Sequence, residues 1–162
     1  MRIIVIILLC LCTVAAHAEG TEELEALVKY QQVDRTTSIL RKYKVKNAAF
    51  YARLLNSTPM SEFERRLFTY KLVLETRGDA NAVSSEGAVG PLQLHPIHFK
   101  EFKVTARQAA QPATNLRLCL RVYRMHLQES NGRVFGYKGA VWRYSGGSMS
   151  YVRKVYQMMH GA

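Results

Sequence analysis

Ser61 and Glu64 stand three residues apart in a segment where Phe63, Leu67, Tyr70 and Leu74 recur at helical spacing. A serine oxygen can accept from the backbone of the third helical residue, and a glutamate there can reach back to the serine amide, so the pair forms a capping box. The spacing predicts an amphipathic helix that opens at Ser61 and ends near Arg77, where Gly78 and Asp79 begin a loop rich in Gly, Asn and Ser that runs through Gly90. No run of alternating apolar residues, internal repeat or low-complexity segment competes with this pattern, so the fold class is mainly α. A first helix is expected from Thr21, with Glu22 and Glu23 in its first turn and Leu24, Leu27 and Val28 on one face. Short helices should hold Ile39, Leu40 and Tyr43, then Phe50, Leu54 and Leu55. After Pro112, a helix sets Leu116, Cys119, Leu120, Tyr123 and Leu127 on one side and Arg117, Arg121 and Arg124 on a solvated one. A short helix from Ala140 to Tyr144 stops at Gly146 and Gly147, and a last one from about Ser150 packs through Val152, Val155 and Met159 before Gly161.

The N-terminus carries a different message. Arg2 is followed by an apolar run from Ile3 to Ala15 and then by Ala16-His17-Ala18, the layout of a secretory signal with a small-residue cleavage site. Cleavage is expected after Ala18, leaving Glu19 as the mature N-terminus of an exported, periplasmic or extracellular protein. A retained anchor is the rival reading, but the run is shorter than the about 20 residues a bilayer span needs. Cys10 and Cys12 follow leucines rather than the small residue that lipid attachment requires. The expected layout is a signal over 1–18, a helical extension over 19–60 and the main domain over 61–162. Cys119 would then be the only cysteine, packing as a small buried apolar group with no disulfide partner. The formal charge of +11 favours an anionic polymer as partner. For an exported chain this points to cell wall or membrane surface ahead of nucleic acid.

Glu75 closes the capped helix, with Phe68 and Leu72 before it on a similar face. An apolar setting and the negative end of the helix dipole both disfavour a carboxylate, and Arg77 opposes them if it comes near. Taken alone, a glutamate there is more often a surface residue.

The stretch from Glu75 to Pro96 resembles the signature of the soluble lytic transglycosylases, members of the lysozyme-like superfamily. In that family a catalytic Glu is followed by Ser or Thr, then Asn-Ala-Val-Ser, Gly-Ala-x-Gly and Leu-Met-Gln-x-Met-Pro. Here Glu75, Thr76, Asn81, Ala82, Val83, Ser84, Gly87, Ala88, Gly90, Gln93 and Pro96 fall in register without a gap. Downstream, Pro112, Asn115 and Leu116 resemble the family's Pro-x-x-Asn-Ile helix opening, and Tyr144-Ser145-Gly146-Gly147 with Tyr151 to Val155 its Tyr-Asn-x-Gly segment and terminal helix. The match spans about Ser61 to Val155, and residues 19–60 lie outside it.

The resemblance implies a lysozyme-like helical domain with an irregular active-site loop segment and Glu75 as the catalytic acid/base. It implies that Tyr144 lies beside that glutamate and that His95 borders the sugar groove. Ser84 and Gln93 are neutral hydrogen-bonding groups suited to the oxygens of an amino-sugar chain. Gly87 and Gly90 would let the loop backbone adopt unusual dihedrals. Three positions depart from the pattern: Ser145 replaces Asn, Pro91-Leu92 replaces Leu-Met, and His95 replaces Met. An imidazole at His95 can bond sugar or perturb Glu75, unless it simply faces solvent. His95, His98 and Glu101 match no strong metal-ligand spacing, and no metal or cofactor is expected.

Asp79 and Glu86 are the only other carboxylates near Glu75 in sequence, and both occupy variable positions of the family pattern, so a single-glutamate mechanism is expected rather than the common two-carboxylate one. The expected substrate is the peptidoglycan glycan strand, cleaved between N-acetylmuramic acid and N-acetylglucosamine with closure of a 1,6-anhydro ring. Two alternatives remain: a muramidase in which water is the nucleophile, and a weakly active wall-binding assembly protein. A cationic membrane-active protein would explain the charge but not the signature. A single small domain suits a monomer that opens the wall for a secretion, conjugation or phage apparatus, without stable membrane insertion once the signal is removed.

Overall fold

The computed structural model describes the backbone of residues 2–130 and 136–161, with side chains from residue 21 onward apart from those of 23, 130 and 137. Among these residues the fold is mainly α. It has eight helices and no strand: α1 (Arg2–Lys42), α2 (Ala48–Ser57), α3 (Glu62–Glu75), α4 (Ile97–Glu101), α5 (Ala106–Ala110), α6 (Pro112–Ser130), α7 (Gly136–Tyr144) and α8 (Met149–His160). The expected signal, residues 1–18, lies outside the described side chains. No described helix is long and apolar enough to cross a membrane.

The helices expected separately at Thr21 and around Ile39 are one element, α1. Nothing between Glu22 and Lys42 interrupts it, since that span contains neither Gly nor Pro. It stops where Lys44 turns left-handed (φ 56°), with Lys44 N donating to Arg41 O at 2.9 Å and Val45 N to Leu40 O at 2.9 Å. That is a Schellman ending built on lysine instead of glycine, which left no stop signal in the sequence. Leu24, Leu27 and Val28, expected as a packing face, are 61%, 53% and 54% exposed, and burial along α1 begins only at Thr36.

From Leu40 onward the chain shares one core. Leu40, Tyr51 and Leu55 pack with Leu67, Phe68 and Leu72 of α3, with Leu116, Cys119 and Tyr123 of α6, and with Val155 and Met159 of α8. The last twenty residues of the expected extension, 41–60, therefore belong to the same packed unit as residues 61–162. α6 is the central helix. Leu118 and Val122 are buried along with most of the expected side, while Arg117, Arg121 and Arg124 face solvent. Of these, Arg121 lies over the Phe102 ring at 4.9 Å, and Arg124 is bonded to Glu64.

α3 forms as its capping box dictates. Glu64 N donates to Ser61 Oγ at 3.2 Å, and Ser61 N donates to Glu64 Oε2 at 2.7 Å. The helix ends at Glu75, and the chain turns through Arg77 (φ 52°) and Gly78 (φ 79°). A Cβ at Gly78 would lie 2.8 Å from Lys46 O and 2.9 Å from the Tyr51 ring, so no larger residue fits the turn. Lys46 N donates to Arg77 O at 2.8 Å and Tyr51 Oη to Gly78 O at 3.1 Å, so the segment before α3 fixes the helix end that presents Glu75. α4 and α5 were not anticipated; α5 is opened by a second capping box, Thr105 with Gln108.

Candidate active site

The irregular segment after Glu75 is held by backbone turns, by the isolated antiparallel bridges Val83 with Val89 and Val89 with Leu94, and by side chains. Asn115, fully buried on α6, ties it to the central helix. Its Oδ1 accepts from Leu92 N at 2.8 Å, and its Nδ2 donates to Val89 O at 2.9 Å and Ala109 O at 2.8 Å. Gly90 (φ 79°) makes this approach possible, because a Cβ there would sit 2.7 Å from Asn115 Nδ2. Thr76 Oγ1 donates to Pro91 O at 2.8 Å and ties the loop to the end of α3.

The loop, α6, α7 and α8 enclose an open groove of about 460 Å³ with Glu75 on its wall. Glu75 is 22% exposed, and Oε1 is the oxygen on which its bonds converge: Lys71 Nζ donates at 2.9 Å and Tyr151 Oη at 2.6 Å. Oε2 is the oxygen these contacts leave for a ligand. Lys71 is 2% exposed, donates to Tyr151 Oη as well at 2.9 Å, and lies 3.9 Å from the centre of the Tyr144 ring. Burial first, and then the Glu75 charge, push the Tyr151 phenol far above its ordinary range. It therefore stays a neutral donor at any physiological pH.

The remaining expected site residues divide by role. Ser84, Gln93, His95 and Tyr144 line the groove with Glu75, whereas Gly87 and Gly90 shape the loop behind it. Ser84 Oγ accepts from Ala88 N at 3.0 Å. Gln93 is itself left-handed (φ 55°) and donates through Nε2 to Gly90 O at 2.9 Å and Ala82 O at 3.3 Å, so its amide nitrogen serves the loop. His95 is exposed at the rim, with Nδ1 accepting from Ile97 N at 3.3 Å. Tyr144 contributes its ring rather than its hydroxyl, which is buried; burial, with Cys119 beside it, holds that phenol well above its ordinary range. Burial likewise pushes the Cys119 thiol up to about 12, as suits a packing residue.

Comparison of the chain with protein-family models, curated proteins and solved structures finds no match.

Sequence reasoning missed Lys71 and Tyr151. The one available signal was the separation of Lys71 and Glu75 by four residues, which places them side by side on a helix. It also missed His126 and Arg143, which line the groove and both bond Glu129 Oε2, at 3.3 and 2.7 Å. Glu86 lies on the same groove, whereas Asp79 is turned away to Lys46 Nζ at 2.8 Å. Among the described residues no three His, Cys, Asp or Glu side chains converge as a metal site requires.

Proposed function

We propose that the protein is an exported peptidoglycan lytic transglycosylase of lysozyme-like fold, with Glu75 as its acid/base. The observation that carries this reading is Glu75 at a helix end on an open groove, with one oxygen fixed from below by Lys71 and Tyr151 and the other left by those bonds. One wall of the groove is the loop that bears the transglycosylase-like residues Ser84 and Gln93.

In the proposed reaction Glu75 gives a proton to the glycosidic oxygen between N-acetylmuramic acid and N-acetylglucosamine as the bond to the anomeric carbon breaks. The carboxylate so formed takes the proton of the muramoyl C6 hydroxyl, whose oxygen closes onto the anomeric carbon. The proton returns to Glu75, no water is consumed, and the product ends in a 1,6-anhydro ring. The substrate's acetamido group can support the positive charge between the steps, an arrangement that dispenses with a second protein carboxylate. The positive net charge suits a wall whose stem peptides carry carboxylates. A specialised wall-opening role beside a secretion, conjugation or phage apparatus belongs to the same proposal.

One observation favours a second reading. Glu86 lies on the groove with Glu75 and can hold a water in the nucleophile's place, which would make the protein a muramidase. Digestion of purified sacculi followed by mass analysis separates the two. Transglycosylation yields anhydro-muropeptides lighter by one water and no new reducing ends, whereas hydrolysis yields reducing ends and should fail in Glu86→Gln. Inactivity of the wild type on several walls would favour a binding protein instead.

A further inference from the structure

Lys71 takes no part in the chemistry proposed above, yet at 2% exposure it is the most buried charged side chain among the described residues. An ammonium removed from water costs several kcal/mol unless each of its donors finds a partner. Here each does: Glu75 Oε1 at 2.9 Å, Tyr151 Oη at 2.9 Å, and the face of the Tyr144 ring at 3.9 Å. A charge embedded this way adds little to stability beyond what an apolar side chain of the same size would give. Stability therefore does not account for a lysine at this place.

The geometry at Glu75 does. Tyr151 accepts from Lys71 and donates to Glu75 Oε1 at 2.6 Å, so the two donors reach the same oxygen, one directly and one through a hydroxyl that the other has oriented. An oxygen accepting two such bonds has no room for a proton of its own. We infer that Lys71 is a positioning residue that, directly and through Tyr151, holds Oε1 of Glu75 and so confines the transferable proton to Oε2, the oxygen left to the groove. This rests on the acid/base reading of Glu75. The same pair of donors stands ready for the carboxylate that follows proton transfer, and Tyr144 completes the cage from α7 without touching Glu75 through its hydroxyl.

The test uses full-length protein and soluble, peptide-free glycan strands prepared from sacculi. Lys71→Met should lower kcat about a hundredfold, the loss expected when a reacting group is displaced by an ångström, with KM within about twofold of wild type. Tyr151→Phe keeps the ring and removes the relay alone, and should lower kcat about tenfold by the same route. It carries the test if Lys71→Met does not fold. Full kcat in a folded Lys71→Met or in Tyr151→Phe, beside an inactive Glu75→Gln, would overturn the positioning role and leave the function standing. Activity in Glu75→Gln would remove the acid/base reading itself. A readout independent of turnover is the Lys71 ammonium in a proton–nitrogen correlation spectrum. Its protons should exchange slowly in the wild type and faster in Tyr151→Phe, and rapid exchange in the wild type would overturn the cage.

Discussion

Glu64 and Glu75 lie on the same helix, both are largely shielded from solvent, and both are bonded to a basic side chain, yet their oxygens are used differently. Glu64 spends both: Oε1 accepts from Arg124 Nε at 2.8 Å, and Oε2 accepts from Ser61 N at 2.7 Å and Arg124 Nη2 at 3.0 Å. The Arg124 hydrogen bonds, ahead of the Ser61 contacts, hold its carboxyl below the usual glutamate value. The bonds to Glu75 converge on Oε1 and leave Oε2 beside a groove. Pairing with a cation therefore does not distinguish a glutamate that fastens a fold from one that can react. What distinguishes them is an oxygen without a structural duty.

Substitution at the two positions should separate activity from stability. The largest effect is expected from Glu75→Gln, which keeps the bonds at Oε1 in reach but removes the ionisable proton. Wall cleavage should fall by at least about a hundredfold per folded molecule, and the melting temperature should drop as well, because the buried Lys71 ammonium loses its charged partner. Full cleavage per folded molecule would make Glu75 a second Glu64. Glu64→Gln should cost stability alone, about 2 kcal/mol through the charge-assisted bonds lost to Arg124, because an amide oxygen can still accept from Ser61 N, while activity per folded molecule stays level. Because the Glu64 carboxyl is held below its usual value of 4.5, its stabilisation is present above that pH and drains away as pH falls through the lowered value. Denaturant titrations of wild type and variant should therefore converge in acid, and a constant gap would detach the effect from ionisation. Gly90→Ala should cost somewhat less, about 1.5 kcal/mol for a left-handed backbone and the contact with Asn115. It should lower cleavage together with stability, because Gly90 shapes the groove wall. The smallest effect is expected at His95. It sits at the rim bonded to its own loop, so His95→Met should change KM by no more than about fivefold, the value of one hydrogen bond. A displaced pH profile would instead mean that the imidazole reaches Glu75 in the complex.

Much of this was legible in the sequence because its signals are local. The Ser61–Glu64 box, the Val152, Val155 and Met159 face of α8 and the burial of Cys119 each follow from spacing or side-chain type and are found where expected, while α3 ends two residues before the expected stop near Arg77. Five residues suspected of binding or catalysis, Glu75, Ser84, Gln93, His95 and Tyr144, share the groove. What escaped notice depends on contacts distant in the chain. Nothing local marks Lys71 as buried, because the groups that cover it, Tyr144 and Tyr151, come from α7 and α8. The continuity of α1 was hidden because its stop is a left-handed lysine. The exposure of Leu24, Leu27 and Val28 was hidden because periodicity marks a face without saying whether anything meets it.

Asn115 has one more consequence. Through a single amide it joins two turns of the loop and the end of α5 to the central helix, and every one of those bonds is internal to the protein. The conformational entropy of the wall is thus surrendered during folding and not again at the moment of docking. If the proposed function holds, a glycan strand meeting this wall loses mainly its own freedom, so differences in affinity among strands should track the stiffness of the strand.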